Sequence, residues 1–289
     1  SLHDALPISG RMKTVAAALR EAAVRLAATS DTGRLDAELL MAHALGVSRS
    51  ELLLRHMERP AHPAFAGLVE RRARHEPVAY ILGRKEFFGR EFAVGPGVLI
   101  PRMDSETTVE AALEARPTLA RVLDCGSGSG ALLLTVLAER PGATGVGIDR
   151  SPEALEISAR NANRLALSER AQWLRRDWNA QGWAEGLGRF DLILANPPYV
   201  EEDAPIEPAV RAWEPAGALF AGPEGLDDYR ALVPQLPPLL ADGGVAVLEI
   251  GATQAEVVAS IASLAGFESE LHHDLGGRPR ALVLRAVRK

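Results

Sequence analysis

Seven residues, Asp124-Cys125-Gly126-Ser127-Gly128-Ser129-Gly130, restrict the fold of this chain more than any other stretch. They stand between a short β-rich run, Arg121–Asp124, and an apolar helical run, Ala131–Glu139. Glycines at alternate positions allow a tight turn and a close backbone approach that a Cβ would block, so the spacing predicts strand, loop and helix in succession. Such a loop alone is often only a turn. Here Asp149, nineteen residues beyond Gly130, ends a second β-rich run, Gly145–Asp149, where a carboxylate can accept from ribose hydroxyls. Loop and acid together point to a nucleoside-bearing ligand.

The same alternation continues. Further strands are expected at Ala171–Leu174, Asp191–Ala195 and Gly244–Ile250, and helices at Ser105–Ala115, Pro152–Leu165, Gly225–Leu240 and Gln254–Leu264. This pattern predicts an α/β fold with a doubly wound, mostly parallel seven-stranded sheet covered on both faces. The last two β-rich runs, Phe267–Leu271 and Arg280–Val287, have no helix between them and should form an antiparallel terminal hairpin.

Residues 14–82 read differently. Val15, Leu19, Ala22 and Leu26, then Leu35, Leu39, Ala42 and Leu45, recur at helical spacing, the second stripe ending at Gly46. A small helical bundle is expected, as a scaffold or a substrate-docking module. Phe87, Phe88, Phe92 and Val94, with Gly89, Gly95, Pro96 and Gly97 among and after them, read as a β-hairpin connector. The expected organisation is a leader over 1–11 before a start at Met12, a helical docking domain over 12–83, the connector over 84–103 and a ligand-binding domain over 104–289.

Composition excludes several classes. With 289 residues, 47% apolar and 24% charged, the chain is neither disordered nor fibrous. Cys125 is the sole cysteine, so no internal disulfide can form, and a reducing cytoplasmic setting is expected. The longest apolar run, Ala131 to Ala138, has eight residues and cannot span a bilayer. Net charge is -6; residues 12–80 carry 10 basic against 8 acidic groups, and residues 81–289 carry 21 against 29. Phosphate-neutralising proteins present a basic face, so the balance argues against nucleic acid as partner and toward a protein or small molecule.

Gly126, Gly128 and Ala131 also satisfy a dinucleotide fingerprint, which leaves the ligand open at this point. Asp124 would repel a pyrophosphate yet suit the ammonium of a methionine moiety, and the terminal hairpin resembles that of class I S-adenosylmethionine-dependent methyltransferases. Asp177 and Trp178, after the third strand, could accept from an adenine amine and stack on the ring. The second constellation, Asn196-Pro197-Pro198-Tyr199, directly follows a predicted strand. Two prolines fix the backbone and remove two N–H donors, leaving carbonyl oxygens to accept from a planar NH2 group. Asn196 adds an acceptor, and Tyr199 a face on which a planar group can lie.

On these residues the chain resembles the release factor glutamine methyltransferases. Further matches are Leu35-Asp36-Ala37-Glu38-Leu39-Leu40, Pro77–Gly83, Glu86-Phe87, Leu99-Ile100-Pro101-Arg102 with Asp104 and Glu106, Glu214-Pro215, Ala218-Leu219, Gly225-Leu226 and Tyr229. Met103 departs from the family, which usually has proline there. The resemblance implies methyl transfer from S-adenosylmethionine to the glutamine side-chain nitrogen of the Gly-Gly-Gln motif in class 1 peptide-chain release factors. It implies cofactor contacts from Asp124, Gly126, Ser127, Gly128, Ser129, Gly130, Asp149, Asp177, Trp178 and Asn196. Asn196, Pro197, Pro198 and Tyr199 would act in catalysis, and the same four, with Arg102 and Glu106, would hold the substrate. No metal, nucleic-acid or membrane partner is expected, and the chain should act as a monomer. Alternatives are a ribosomal-protein glutamine methyltransferase and an adenine N6 methyltransferase on nucleic acid. A dinucleotide-dependent oxidoreductase or nucleotide-sensing module would leave residues 196–199 without a task.

Overall fold

The computed structural model describes residues 13–287, so the expected leader and the start at Met12 lie outside the described residues. The chain divides into two compact units, the boundary falling between Leu82 and Gly83.

The first unit is helical, with helices at Val15–Leu26, Gly33–Leu45, Arg49–Glu51, Phe65–Ala73 and Val78–Leu82, and a π-helical turn at Leu52–His56. Thr14 caps the first helix by accepting from the Ala17 N–H, and Val15, Leu19, Ala22 and Leu26 are buried as the stripe predicts. The second helix is rotated from expectation. Leu35 is exposed, whereas Asp36, Ala37, Leu40 and Met41 are buried. The cause is polar: the Asp36 carboxylate accepts from Arg72 Nε and Ser30 Oγ at 2.7 Å each, and from Thr32 Oγ1 at 3.0 Å. A buried charge needs such partners, and no count of apolar spacing reveals them.

The second unit opens with a hairpin of β1 (Arg84–Phe87) and β2 (Arg90–Ala93). Both turn residues, Phe88 and Gly89, have positive φ, 50° and 71°, the geometry whose twist matches antiparallel strands. Seven strands then build the main sheet: β3 (Arg121–Cys125), β4 (Thr144–Asp149), β5 (Ala171–Arg175), β6 (Phe190–Ala195), β7 (Leu240–Glu249), β8 (Phe267–His273) and β9 (Pro279–Ala286). Their spatial order is β5-β4-β3-β6-β7-β9-β8. The first five are parallel; β9 runs antiparallel between β7 and β8.

Alternate strand residues feed two cores. Val122, Leu192, Leu194, Val245 and Val247 face a layer containing the helix Ala131–Glu139, and Leu123, Ile193, Ala246 and Leu248 face Tyr229, Leu232 and Val258. The expected helix over 225–240 is shorter. Only Asp227–Leu232 is α-helical, followed by 3-10 turns at 233–235 and 237–239, because Pro234, Pro237 and Pro238 lack the N–H donors an α-helix requires.

Strand order reverses beside β3, whose neighbours are β4 and β6. At such a point loops leave the sheet in opposite directions and open a crevice beyond the strand ends. Register puts Cys125 level with both Ile148 and Ala195, so the segments after β3, β4 and β6 depart from one line.

Candidate active site

The glycine-rich loop is fixed by its neighbours. The N–H groups of Gly126 and Ser127 both donate to the Ile148 carbonyl at 2.9 Å, and Gly128 N–H donates to Asp149 Oδ2 at 2.9 Å. From the helix Pro152–Arg164, Ser158 Oγ donates to the Gly128 carbonyl at 2.8 Å and Asn161 Nδ2 to the Ser129 carbonyl at 2.8 Å. Asn161 also bonds both main-chain groups of Ala93, so one buried amide ties the loop to the hairpin.

Loop, strand ends and later segments enclose a cavity of ≈ 350 Å³, within the range of small-molecule sites. Gly126, Ser127, Gly128, Ser129, Asp149, Asp177, Trp178, Asn196, Pro198 and Arg102 all line it. At Gly126, φ is +78° and a Cβ would lie 3.2 Å from the Trp178 ring, so glycine is needed there twice over. Trp178 is held by its indole N–H, which donates to Asp228 Oδ1 at 2.9 Å. Asp149 Oδ1 takes the Ser151 N–H at 2.9 Å, which leaves lone pairs on both oxygens for a ligand. Burial raises the Asp149 pKa, while the N–H groups of Ser151 and Gly128 oppose that rise.

Five of the sequence candidates sit elsewhere. Asp124 is 1% exposed and lies off the cavity wall; burial, first, and the charge of Asp149 lift its pKa to about 7. The Leu133 N–H opposes that rise without reaching hydrogen-bond geometry, and neither carboxylate oxygen has a partner among the described residues. Gly130 is absent from the wall; a Cβ there would meet the Trp173 ring at 2.9 Å, so this glycine serves packing and its own φ of +79°. Pro197 is buried off the wall, and its carbonyl oxygen accepts no hydrogen bond from the described residues. Tyr199 lines a second cavity of ≈ 460 Å³ instead of the first. Glu106 reaches neither: its Oε1 accepts the Phe88 N–H at 2.8 Å and so supports the hairpin turn.

The two cavities adjoin, sharing Leu99, Arg102, Asn196 and Ala218. Asn196 is therefore at their junction, and its side-chain amide has no hydrogen-bond partner among the described residues. Arg102 pairs with the buried Glu214 rather than with Glu106. Gly217 and Arg150, which no motif marked, and Pro215, marked only as part of the Glu214-Pro215 match, also line the first cavity; Arg150 Nη2 donates to the Gly217 carbonyl at 2.6 Å.

These residues suit S-adenosylmethionine: a bare Gly126 beneath an indole, a carboxylate with free lone pairs at Asp149, and the buried, unpartnered Ser127 hydroxyl on the wall. Comparisons with known proteins agree. Residues 17–83 match the family described as PrmC N-terminal domain, and residues 96–218 match the methyltransferase small domain. A release factor glutamine methyltransferase of Rhodospirillum rubrum is 42% identical over 260 residues, covering 87% of this chain and 78% of that protein. One of Cereibacter sphaeroides is 42% identical over 276 residues, covering 93% and 97%. A methyltransferase structure from Pyrococcus furiosus shares the fold at a TM-score of 0.52 and 16% identity, covering 69% of this chain and 91% of that one.

Proposed function

The chain belongs to the release factor glutamine methyltransferase family, and from that membership we propose how its own residues methylate the glutamine side-chain nitrogen of the Gly-Gly-Gln motif in a class 1 release factor. The observation that carries this reading is Asn196, an unengaged amide at the junction of two cavities, one suited to a nucleoside cofactor.

Gly126–Ser129, Asp149, Asp177 and Trp178 would hold S-adenosylmethionine in the first cavity. When bound, this cofactor supplies an electrophilic methyl group on a sulfonium sulfur. The glutamine amide would enter from the second cavity. Its nitrogen is a poor nucleophile because the lone pair is delocalised into the carbonyl. Asn196 Oδ1 would accept one of its N–H groups, orienting the nitrogen toward the cofactor cavity and favouring the positive charge that develops there. Pro197 and Pro198 offer no competing N–H. No strong base is required, since the nitrogen becomes acidic once methylated.

In this reading the helical unit docks the release factor and a single chain acts in the cytoplasm, where release factors work. A net charge of -6 favours protein over nucleic acid as substrate. Among the described residues, no helix is long and apolar enough to cross a membrane. The test supplies methyl-labelled S-adenosylmethionine with a release factor, a ribosomal large-subunit protein and duplex DNA in separate reactions. Label is expected in the release factor and should vanish when the motif glutamine becomes alanine; label confined to either other substrate overturns the reading.

A further inference from the structure

Glu249 is the last residue of β7 and is 1% exposed, yet it belongs to neither cavity wall. Isolated carboxylates are costly to bury, so its surroundings have to account for it. The Tyr199 hydroxyl donates to Glu249 Oε1 at 3.2 Å. The Glu249 carbonyl takes the Tyr229 hydroxyl at 2.8 Å, which fixes the end of the strand. The Ser105 side chain and the Arg280 guanidinium, which pairs with Asp104 at 3.1 Å, also lie beside the carboxylate and favour its charged form, while Oε2 accepts no hydrogen bond from the described residues.

The main chain of Tyr199 is held separately. Its carbonyl accepts from Gln254 Nε2 at 3.1 Å, and Gln254 in turn bonds Gly225 and Gly251. Gly225 sits so close that a Cβ would lie 2.4 Å from the Tyr199 oxygen. With the backbone pinned there, what remains free is rotation of the ring, and Glu249 restrains it through the phenol. Tyr199 lines the second cavity and not the first.

We propose that Glu249 is a positioning residue for methyl transfer, acting through Tyr199 to set the wall of the cavity that receives the glutamine amide. The inference rests on the proposed function, which assigns the amide to that cavity. Its consequence is selective: the Tyr199 hydroxyl is the group that hydrogen-bonds the carboxylate, so its loss disturbs the cavity of the accepting substrate more than the cofactor cavity, which it meets only through Ser105.

The experiment compares the unaltered chain with Glu249→Ala, Glu249→Gln, Tyr199→Phe and the double variant Glu249→Ala/Tyr199→Phe. It measures kcat and KM for a release factor and, by calorimetry, the Kd for S-adenosylmethionine. A misplaced wall should lower kcat/KM for the release factor about tenfold or more in Glu249→Ala and Tyr199→Phe. The double variant should be no worse than the poorer single, because both remove one contact. Glu249→Gln, which keeps an acceptor oxygen, should restore most of the loss, and cofactor Kd should stay within about twofold throughout, as expected for groups outside that cavity. Should Glu249→Ala fail to fold, Tyr199→Phe against Glu249→Gln carries the comparison. Additive losses, a glutamine variant as poor as alanine or Tyr199→Phe, or a parallel loss of cofactor affinity would overturn the proposal. Absence of label in the release factor with the unaltered chain, despite cofactor binding, would instead overturn the function on which it rests, and the proposal with it.

Discussion

Arg102, which lines both cavities, donates to the buried carboxylate of Glu214, 112 residues away in sequence. The other oxygen of Glu214 accepts the Ile100 N–H at 2.9 Å, so one side chain fixes both the main chain and the guanidinium of the 100–102 strip. Glu214→Ala would strand the buried Ile100 donor, at a cost of about 1–3 kcal/mol. Urea unfolding should show that loss, and KM for the release factor should rise as Arg102 loosens.

Asn196→Ala removes the amide at the junction of the cavities. Methyl transfer should fall about a hundredfold or more, the range seen when one aligned polar group is deleted from an active site. Calorimetry should show a smaller change in cofactor affinity, since most of that wall remains. Full methylation by this variant would end the assignment.

Gly126→Ala places a Cβ 3.2 Å from the Trp178 ring at a φ of +78°. The left-handed conformation alone costs roughly 1–2 kcal/mol for a residue with a side chain. Affinity for S-adenosylmethionine should drop at least about tenfold, as that strain and the displaced indole both fall on the binding wall. At Gly130 the neighbour is Trp173, at 2.9 Å and off the wall, so Gly130→Ala should register first in thermal unfolding.

Burial lifts the Asp124 pKa from 3.8 to about 7, so the folded chain holds a proton there that the unfolded chain has released over this interval. Stability contributed by this group is full below the ordinary carboxylate pKa and is lost as pH rises toward about 7. Asp124→Asn cannot release that proton. The stability difference between variant and unaltered chain, measured by urea unfolding without cofactor, should therefore grow in favour of the variant from about pH 4 to 7. A flat difference would show that the carboxylate titrates normally.

Glu106→Ala separates the hairpin from the chemistry. Its carboxylate holds the Phe88 N–H at 2.8 Å, so a stability loss of about 1 kcal/mol is expected, with methyl transfer little changed. A collapse of kcat would place Glu106 on the substrate after all.

The sequence by itself determined the local elements and the chemistry available at their ends. Gly126–Gly130 after an apolar strand, Asp149 one strand later and Asn196–Tyr199 after another are short-range patterns, and backbone sterics give each nearly one outcome. Alternation of strand and helix likewise carried the parallel sheet, and the missing helix between the last two strands carried the antiparallel hairpin.

Only the tertiary structure decided which of these residues share a wall. Gly128 and Gly130 differ by two positions, yet one lines the cavity and the other packs on Trp173. Asp104 and Glu106 stand two and four residues from Arg102 in the sequence, but Glu214 holds it; Tyr199 belongs to the second cavity and is tethered to Glu249, 50 residues on. Such contacts depend on strand order, register and the direction of each Cβ, which are set by burial of the whole sheet between its two cores. A polar side chain takes whichever partner that packing brings within reach, and no local pattern encodes the choice.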